Sequence, residues 1–205
     1  MGDAVKGKIK EAIKAYDKIA RLYGDYKSEK LLQYQLNKFI SLLQGKKILD
    51  AGCGTGRDVE YFLDEGFDIT GIDISRGMID EAKRRVPEGA FKVMDFTKTR
   101  FNKECFHGIW CMAALADIPR ENSEKVFKEF TRILDKSGIL YLAVKRGEGQ
   151  EIIKKHKYND QPRIYVYYEK IELEDILKQN GFEILHSIIS EDEGKEWVEV
   201  FARKL

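Results

Sequence analysis

Three glycines at alternate positions are the residues of this chain whose spacing points most directly to chemistry. Gly52, Gly54 and Gly56 follow an apolar run, a pattern that predicts a buried strand ending in a tight turn against a helix. Backbone atoms in such a turn can approach a ligand closely. The dinucleotide fingerprint G-x-G-x-x-G would need glycine at position 57, which is Arg57. A pyrophosphate site is therefore disfavoured.

An acidic residue in the next apolar run points to a ribose. Asp73 ends the run 69–72, so we expect it at the tip of the neighbouring parallel strand. A carboxylate in that position can accept hydrogen bonds from both hydroxyls of a ribose. The glycine turn and Asp73 together predict a site for a nucleoside without a pyrophosphate.

These residues carry a family resemblance. The segment 50–56, DAGCGTG, resembles the glycine motif of class I S-adenosylmethionine-dependent methyltransferases, and Asp73 resembles their ribose-binding acid. The segment 93–96 is similar to the one whose acid contacts the adenine amine. Segments 106–113 and 138–145 extend the resemblance to nearly the whole chain. The resemblance implies S-adenosylmethionine as the cofactor and methyl transfer as the reaction.

The resemblance also implies a set of cofactor contacts. They are Tyr16, Asp50, Gly52, Gly54, Gly56, Asp73, Ile74, Met78, Asp95, Phe96 and Met112. Some have a second interpretation. Asp50 orders the turn or meets the cofactor's ammonium through water, and Asp95 caps a turn or contacts the adenine amine. Ile74, Met78 and Phe96 flank the adenine ring or simply pack in the core.

The first helix offers two tyrosines on one face. The segment 16–20 resembles one that closes over the methionine end of the cofactor, which favours Tyr16 as a contact. Tyr23 lies seven positions later on the same face, and packing onto the sheet is its simpler interpretation.

Candidates for the acceptor side lie in or just after the lysine-rich loop 146–162. They are His156, Arg163 and Tyr165. The lysines are typical of a solvated loop; alternatively, His156 or Arg163 meets an anionic substrate, with His156 able to act as a base near neutral pH. No catalytic residue is assigned, since methyl transfer asks mainly for alignment.

A small-molecule acceptor is the preferred hypothesis. The segment 113–119 lacks the [D/N]-P-P-[Y/F] motif of amino-directed nucleic-acid methyltransferases, and the paired-glutamate loop of arginine methyltransferases is absent. An RNA or protein methyltransferase with a basic patch of Lys154, Lys155, Lys157 and Arg163 is an alternative. A non-catalytic nucleoside-binding module is another, because no general base is recognisable.

The elements that must position these residues follow from the hydrophobic pattern. Amphipathic helices at 4–23 and 29–43 are expected to cap the ligand-binding edge as a segment 1–45 of a single domain 1–205. Strands are predicted at 46–51, 68–73, 90–94, 107–112 and 138–144, and helices at 57–65, 76–86, 122–135 and 171–180. Final strands at 182–189 and 197–202 flank a polar turn at 191–195.

This alternation predicts an α/β fold. We expect a three-layer α/β/α sandwich with a seven-stranded, mostly parallel sheet and one antiparallel strand, the Rossmann-like methyltransferase fold that the resemblance also implies. An extended aromatic segment at 163–168 follows the lysine-rich loop.

Composition limits the partners. The 205 residues suit one domain, and a formal net charge of +1 gives no global attraction to nucleic acid or anionic lipid. Cys53, Cys105 and Cys111 form no C-x-x-C pair, which favours a cytoplasmic protein with structural thiols. No run is long enough to cross a membrane. Asp117 has no obvious companions for a metal site, so no metal is predicted.

Overall fold

The computed structural model describes residues 2–27, 32–192 and 194–205. The helices are α1 (Gly2–Lys27), α2 (Gln33–Leu42), α3 (Arg57–Asp64), α4 (Arg76–Arg85), α5 (Arg120–Ile133) and α6 (Lys170–Gln179). The strands are β1 (Lys47–Ala51), β2 (Asp68–Asp73), β3 (Ala90–Val93), β4 (Phe106–Met112), β5 (Leu134–Lys145), β6 (Gln150–Ile153), β7 (Arg163–Val166), β8 (Phe182–Asp192) and β9 (Lys195–Lys204). Short 3-10 turns lie at Ala114–Asp117 and His156–Tyr158.

The main sheet has seven strands in the order β3-β2-β1-β4-β5-β9-β8. Strands β1 to β5 pair in parallel, while β9 is antiparallel to both of its neighbours. The predicted mostly parallel sheet with one antiparallel strand is therefore confirmed. Because β1, β2, β4 and β5 are parallel, their carboxyl ends meet at one edge of the sheet. The strand order reverses between β1 and β4, which is where ligands bind in open α/β sheets.

The central strands are apolar because both faces of the sheet are covered. Helices α5 and α6 cover one face, where Leu140 and Leu142 of β5 and Phe130 of α5 are all buried. The other lies against α2, α3 and α4, where Trp110 stacks on Tyr141 with ring centroids 4.0 Å apart. Parallel sheets buried on both faces are expected to read as near-continuous apolar runs, as these do.

Helix α1 is attached to the amino end of α4. Asp17 accepts hydrogen bonds from the Ser75 hydroxyl at 2.6 Å and from the Gly77 amide at 2.8 Å. Ser75 in turn caps α4 by accepting from the Met78 amide at 3.1 Å. A Cβ at Gly77 would lie 2.7 Å from the Asp17 backbone, so glycine permits this close approach.

The structure departs from the predicted elements in two places. The stretch predicted as an unbroken loop at 146–162 contains β6, which forms a separate antiparallel pair with β7, the predicted extended segment. Helix α5 begins at Arg120 and gives way directly to β5 at Leu134, earlier than predicted. The start of the predicted helix 29–43 falls partly on 29–31, outside the described residues.

Among the described residues, none of the helices combines the length and the apolar character that crossing a membrane requires.

Candidate functional site

A cavity of about 360 Å³ opens at the carboxyl edge of the sheet. Ten residues predicted as cofactor or acceptor contacts line it: Tyr16, Gly52, Gly54, Asp73, Ile74, Met78, Phe96, Met112, Arg163 and Tyr165. A volume of this size suits an organic ligand of moderate size. We call the side formed by Gly52, Gly54, Asp73, Ile74, Met78 and Phe96 the inner half. The side formed by Tyr16, Asp117, Lys145, Tyr158, Arg163 and Tyr165 is the outer half.

The inner half begins with a glycine turn after β1. Gly52, Gly54 and Gly56 have φ values of 84°, 52° and 87°, the left-handed region that glycine enters without strain. A Cβ at Gly52 would lie 2.2 Å from the Cβ of Ala114, so the turn and the segment after β4 can approach only because that atom is missing. The chain after β4 bends at Ala113, whose φ of 63° is rare for a non-glycine residue.

Asp73 ends β2 next to this turn. One carboxylate oxygen accepts from the Gly54 amide at 3.1 Å and the other from the Ser75 amide at 2.8 Å. Burial raises the pKa of Asp73 to about 6, against the lowering effect of these amide hydrogen bonds. Each oxygen keeps a lone pair for a further donor, so the carboxylate can bind a diol.

Apolar side chains continue the inner half. Met78 and Phe96 are buried, and Ile74 is partly exposed at the start of the segment after Asp73. Phe96 also packs on Phe130, with ring centroids 5.9 Å apart. All three residues line the cavity, and Met78 and Phe96 also belong to hydrophobic clusters.

Four predicted site residues do not line the cavity. Asp50 is buried beneath the turn, where burial and the charge of Asp58 raise its pKa. Gly56 begins α3. Asp95 accepts from the Thr97 amide at 2.8 Å, which is the turn-capping interpretation. The ring of His156 is fully exposed and lies 3.4 Å from Asp160, so the solvated-loop interpretation applies to it.

The outer half is held by a chain of hydrogen bonds. Tyr16 donates to Asp117 at 2.7 Å and accepts from Arg163 at 3.2 Å. Arg163 also donates to the Tyr165 hydroxyl at 2.7 Å and is only 4% exposed. Burial raises the pKa of Asp117 to about 6, although Arg163 and Tyr16 act in the opposite direction.

Lys145 ends β5 and joins the outer half. Its ammonium lies 3.8 Å from the centroid of the Tyr165 ring, a cation–π contact. The side chain is 8% exposed. Burial, followed by the charges of Lys155, Lys195 and Arg163, lowers the pKa of Lys145 to about 7. The lysine is therefore partly neutral near neutral pH.

Several lining residues were missed by the sequence analysis. They are Tyr23, Asp117, Lys145, Tyr158, Lys195 and Trp197, while Lys155, which was named only as part of a basic patch, also lines the cavity. The packing interpretation of Tyr23 was incomplete, because its ring contacts those of Tyr16 and Tyr158 and also faces the cavity. The shared helix face of Tyr16 and Tyr23 was the available signal. Asp117 was considered only as a metal ligand, and its actual partners lie far away in the sequence.

The cysteines and acidic residues add no further chemistry to this site. Burial raises the pKa of Cys53 and Cys111, so both thiols remain protonated. Among the described residues, no group of three or more His, Cys, Asp or Glu side chains is arranged to hold a metal ion.

Comparisons with known proteins agree with this geometry. A family model described as a methyltransferase domain matches residues 48–138. The chain is 29% identical over 104 residues to a demethylmenaquinone methyltransferase of Renibacterium salmoninarum, covering 51% of this chain and 43% of that protein. It is 30% identical over 110 residues to a malonyl-[acyl-carrier protein] O-methyltransferase of Salmonella typhimurium, covering 52% and 43%. The matched stretch thus spans less than half the length of these relatives.

A solved structure extends the comparison to most of the fold. The S-adenosylmethionine-dependent methyltransferase from Methanosarcina mazei superposes with a TM-score of 0.75 at 23% identity. The superposition covers 82% of this chain and 97% of that one.

Proposed function

We propose that the chain is a class I S-adenosylmethionine-dependent methyltransferase that binds S-adenosylmethionine in the cavity and transfers the methyl group to a small-molecule acceptor. The methyltransferase-domain model that matches residues 48–138 supports this proposal, as does the fold shared with the Methanosarcina mazei protein. The observation that carries this proposal is the joint placement of the glycine turn and the Asp73 carboxylate at one wall of the cavity. Position 57 is Arg57, so the turn lacks the third glycine of a pyrophosphate-binding fingerprint. A nucleoside, in contrast, fits both the glycine turn and the Asp73 carboxylate.

The residues of the inner half fit the proposed cofactor. Asp73 would accept from the ribose hydroxyls, and the bare backbone at Gly52 and Gly54 leaves room beside it. Ile74 and Met78 would cover the faces of the adenine ring, since Ile74 directly follows the ribose acid, Met78 lies in the first turn of α4, and both line the cavity. Tyr16 on α1 borders both halves and would close over the methionine end.

When bound, S-adenosylmethionine supplies a methyl group on a sulfonium sulfur, which is already electrophilic. The side chains therefore have to orient the acceptor, exclude water and accept any proton it loses. Helix α1 and the β6–β7 pair would exclude water by covering the edge of the sheet.

A small-molecule acceptor is favoured over RNA by the position of the basic residues. Arg163 points into the cavity and is almost fully buried, so it does not belong to an exposed basic patch with Lys154. The side chain of Lys157 lies outside the described set. One relative is named for demethylmenaquinone, which supports an organic acceptor.

We also propose that residues 1–45 form a cap within a single domain. The contacts of α1 with α4 through Asp17 support this arrangement. Three free thiols favour a reducing compartment, and we place the protein in the cytoplasm on that ground.

Calorimetric titration tests the cofactor proposal. S-Adenosylmethionine and S-adenosylhomocysteine should bind with micromolar affinity, and NAD should not bind. Release of S-adenosylhomocysteine in the presence of candidate acceptors would then demonstrate turnover. Binding of NAD alone, or of none of the three, would contradict the proposed function.

A further inference from the structure

Positive charge is concentrated in the outer half of the cavity. Lys145 and Arg163 belong to it, and Lys155 and Lys195 also line the cavity. Asp117 is the acidic residue of the outer half, and Asp73 and Asp192 are the other acidic residues that line the cavity. The ion pairs found among the described residues include neither Lys145 nor Arg163. The charge of Asp117 acts on both, but its carboxylate is hydrogen-bonded to Tyr16, and one carboxylate does not balance two cations. Both side chains are more than nine-tenths buried. Burial of a cation without an ion-pair partner is costly, and an anionic ligand would offset that cost.

Tyrosine hydroxyls and rings hold the two buried cations in place. Arg163 is fixed by hydrogen bonds to the hydroxyls of Tyr16 and Tyr165 and lies over the Tyr158 ring, 4.6 Å from its centroid. Lys145 lies over the ring of Tyr165, which Arg163 also contacts at 5.2 Å from the centroid. A planar guanidinium held in this way presents its remaining N–H groups in a fork that matches a carboxylate.

Aromatic rings form the walls around these cations. Tyr16, Tyr23, Tyr158, Tyr165 and Trp197 line the cavity together. Rings in such a pocket favour a flat, unsaturated ligand body, since they stack on it with little loss of side-chain freedom. The outer half therefore combines aromatic walls with two buried cations.

The order of the strands separates the outer half from the proposed cofactor site. Gly52 follows β1 and Asp73 ends β2, whereas Lys145 ends β5 and Arg163 begins β7. The methyl donor and the acceptor must lie side by side, so the β5 side is the place for the acceptor.

We propose that the methyl acceptor is a flat small molecule bearing a carboxylate, which Lys145 and Arg163 bind in the outer half. This inference rests on the proposed function. Negative charge next to the cofactor has a physical advantage, because a sulfonium and an anion attract each other strongly where water is excluded.

Matched carboxylate and carboxamide pairs provide the test. We would titrate the complex with saturating S-adenosylhomocysteine using benzoate against benzamide, and indole-3-acetate against indole-3-acetamide. At least one carboxylate should bind ten-fold or more tightly than its amide. Lys145→Met and Arg163→Gln should each remove most of that preference, while Lys154→Met, which removes the same charge from an exposed position of the neighbouring loop, should retain it.

The outcomes separate this inference from the proposed function. Equal affinity of acids and amides, or binding of neither, would overturn the carboxylate site while the cofactor assignment stands. The same conclusion follows if Arg163→Gln weakens S-adenosylhomocysteine binding and Lys145→Met leaves the carboxylate preference intact, because the guanidinium then serves the cofactor's own carboxylate. Failure of the wild type to bind S-adenosylhomocysteine would remove the proposed function, and the same titrations on the free protein would still decide the carboxylate site.

Discussion

The two halves of the cavity are built in different ways. The inner half consists of backbone at Gly52 and Gly54 and one carboxylate, Asp73, which itself accepts two backbone hydrogen bonds. The outer half consists of long side chains, with Arg163 and Lys145 supplied by separate strands and held by tyrosine hydroxyls and rings. The inner half depends on local chain geometry, and the outer half depends on packing between distant segments.

This difference has a functional consequence. A site made from backbone and a turn recognises one ligand and tolerates few substitutions, whereas a site made from side chains can change its ligand by substitution alone. We therefore expect mutations in the inner half to affect folding or cofactor binding. Mutations in the outer half should affect acceptor choice.

The largest effect is expected at Asp73. Asp73→Asn removes the charge that would bind the ribose hydroxyls, and we predict a loss of S-adenosylhomocysteine affinity of about 100-fold, or about 3 kcal/mol. Asp68→Asn, an exposed aspartate at the start of the same strand, is the matched control and should leave the affinity unchanged in calorimetry. Equal affinity of Asp73→Asn and the wild type for S-adenosylhomocysteine would contradict the assignment of Asp73 to the ribose.

Glycine substitutions test the backbone character of the inner half. Gly52→Ala combines a φ of 84° with a Cβ that would meet Ala114, whereas Gly66→Ala has a φ of 76° and open space. The first should therefore lower the free energy of unfolding by about 2 kcal/mol more than the second, the difference being steric overlap. Urea denaturation measures both; equal losses would mean that the turn and the segment after β4 are not in tight contact.

Acid pH should stabilise the unliganded protein. Burial raises the pKa of Asp73 and of Asp117 to about 6, above the value of about 4 in the unfolded chain. The folded state then binds protons more tightly, so this contribution is complete below pH 4 and is lost as pH rises through 6. The pKa of Lys145, lowered to about 7, affects stability mainly above pH 7.

Thermal unfolding between pH 7 and pH 5 measures this effect. The free energy of unfolding should rise by about 1–2 kcal/mol on acidification. In Asp117→Asn the rise should be smaller, because that variant keeps only the contribution of Asp73. An unchanged rise in the variant would show that Asp117 does not titrate in this range.

The smallest effect is expected at Tyr16. Tyr16→Phe keeps the ring and removes the hydroxyl that joins Asp117 to Arg163. We predict a loss of about 1 kcal/mol in stability, and a carboxylate affinity reduced more than that for S-adenosylhomocysteine. Tyr61→Phe, a tyrosine whose hydroxyl bonds Asn37 on the outside of the fold, is the control. A larger effect on S-adenosylhomocysteine than on the carboxylate would place Tyr16 in the inner half.

The sequence predicted the inner half and the sheet because both depend on local patterns. The glycine turn, Asp73 and the alternation of strands with helices lie within short windows. The pair β6–β7 was missed in part because Gln150 and Glu151 break the apolar alternation of a strand and glycines flank it.

The outer half could not be predicted in the same way. Lys145 ends β5, Asp117 follows β4, and Arg163 comes after the lysine-rich loop, whose composition is typical of a solvated loop. Only the tertiary fold brings the three together, and burial then raises the pKa of Asp117 and lowers the pKa of Lys145. His156 is the opposite case. Its residue type suggested a base or a substrate contact, but the fold leaves its side chain in solvent.

A crystal structure of the complex with S-adenosylhomocysteine is the most direct test of the division into two halves. We predict the ribose hydroxyls within hydrogen-bond distance of the Asp73 carboxylate, with Lys145 and Arg163 not in contact with the ligand. A ligand whose carboxylate lies on Arg163, or whose ribose lies away from Asp73, would contradict the account.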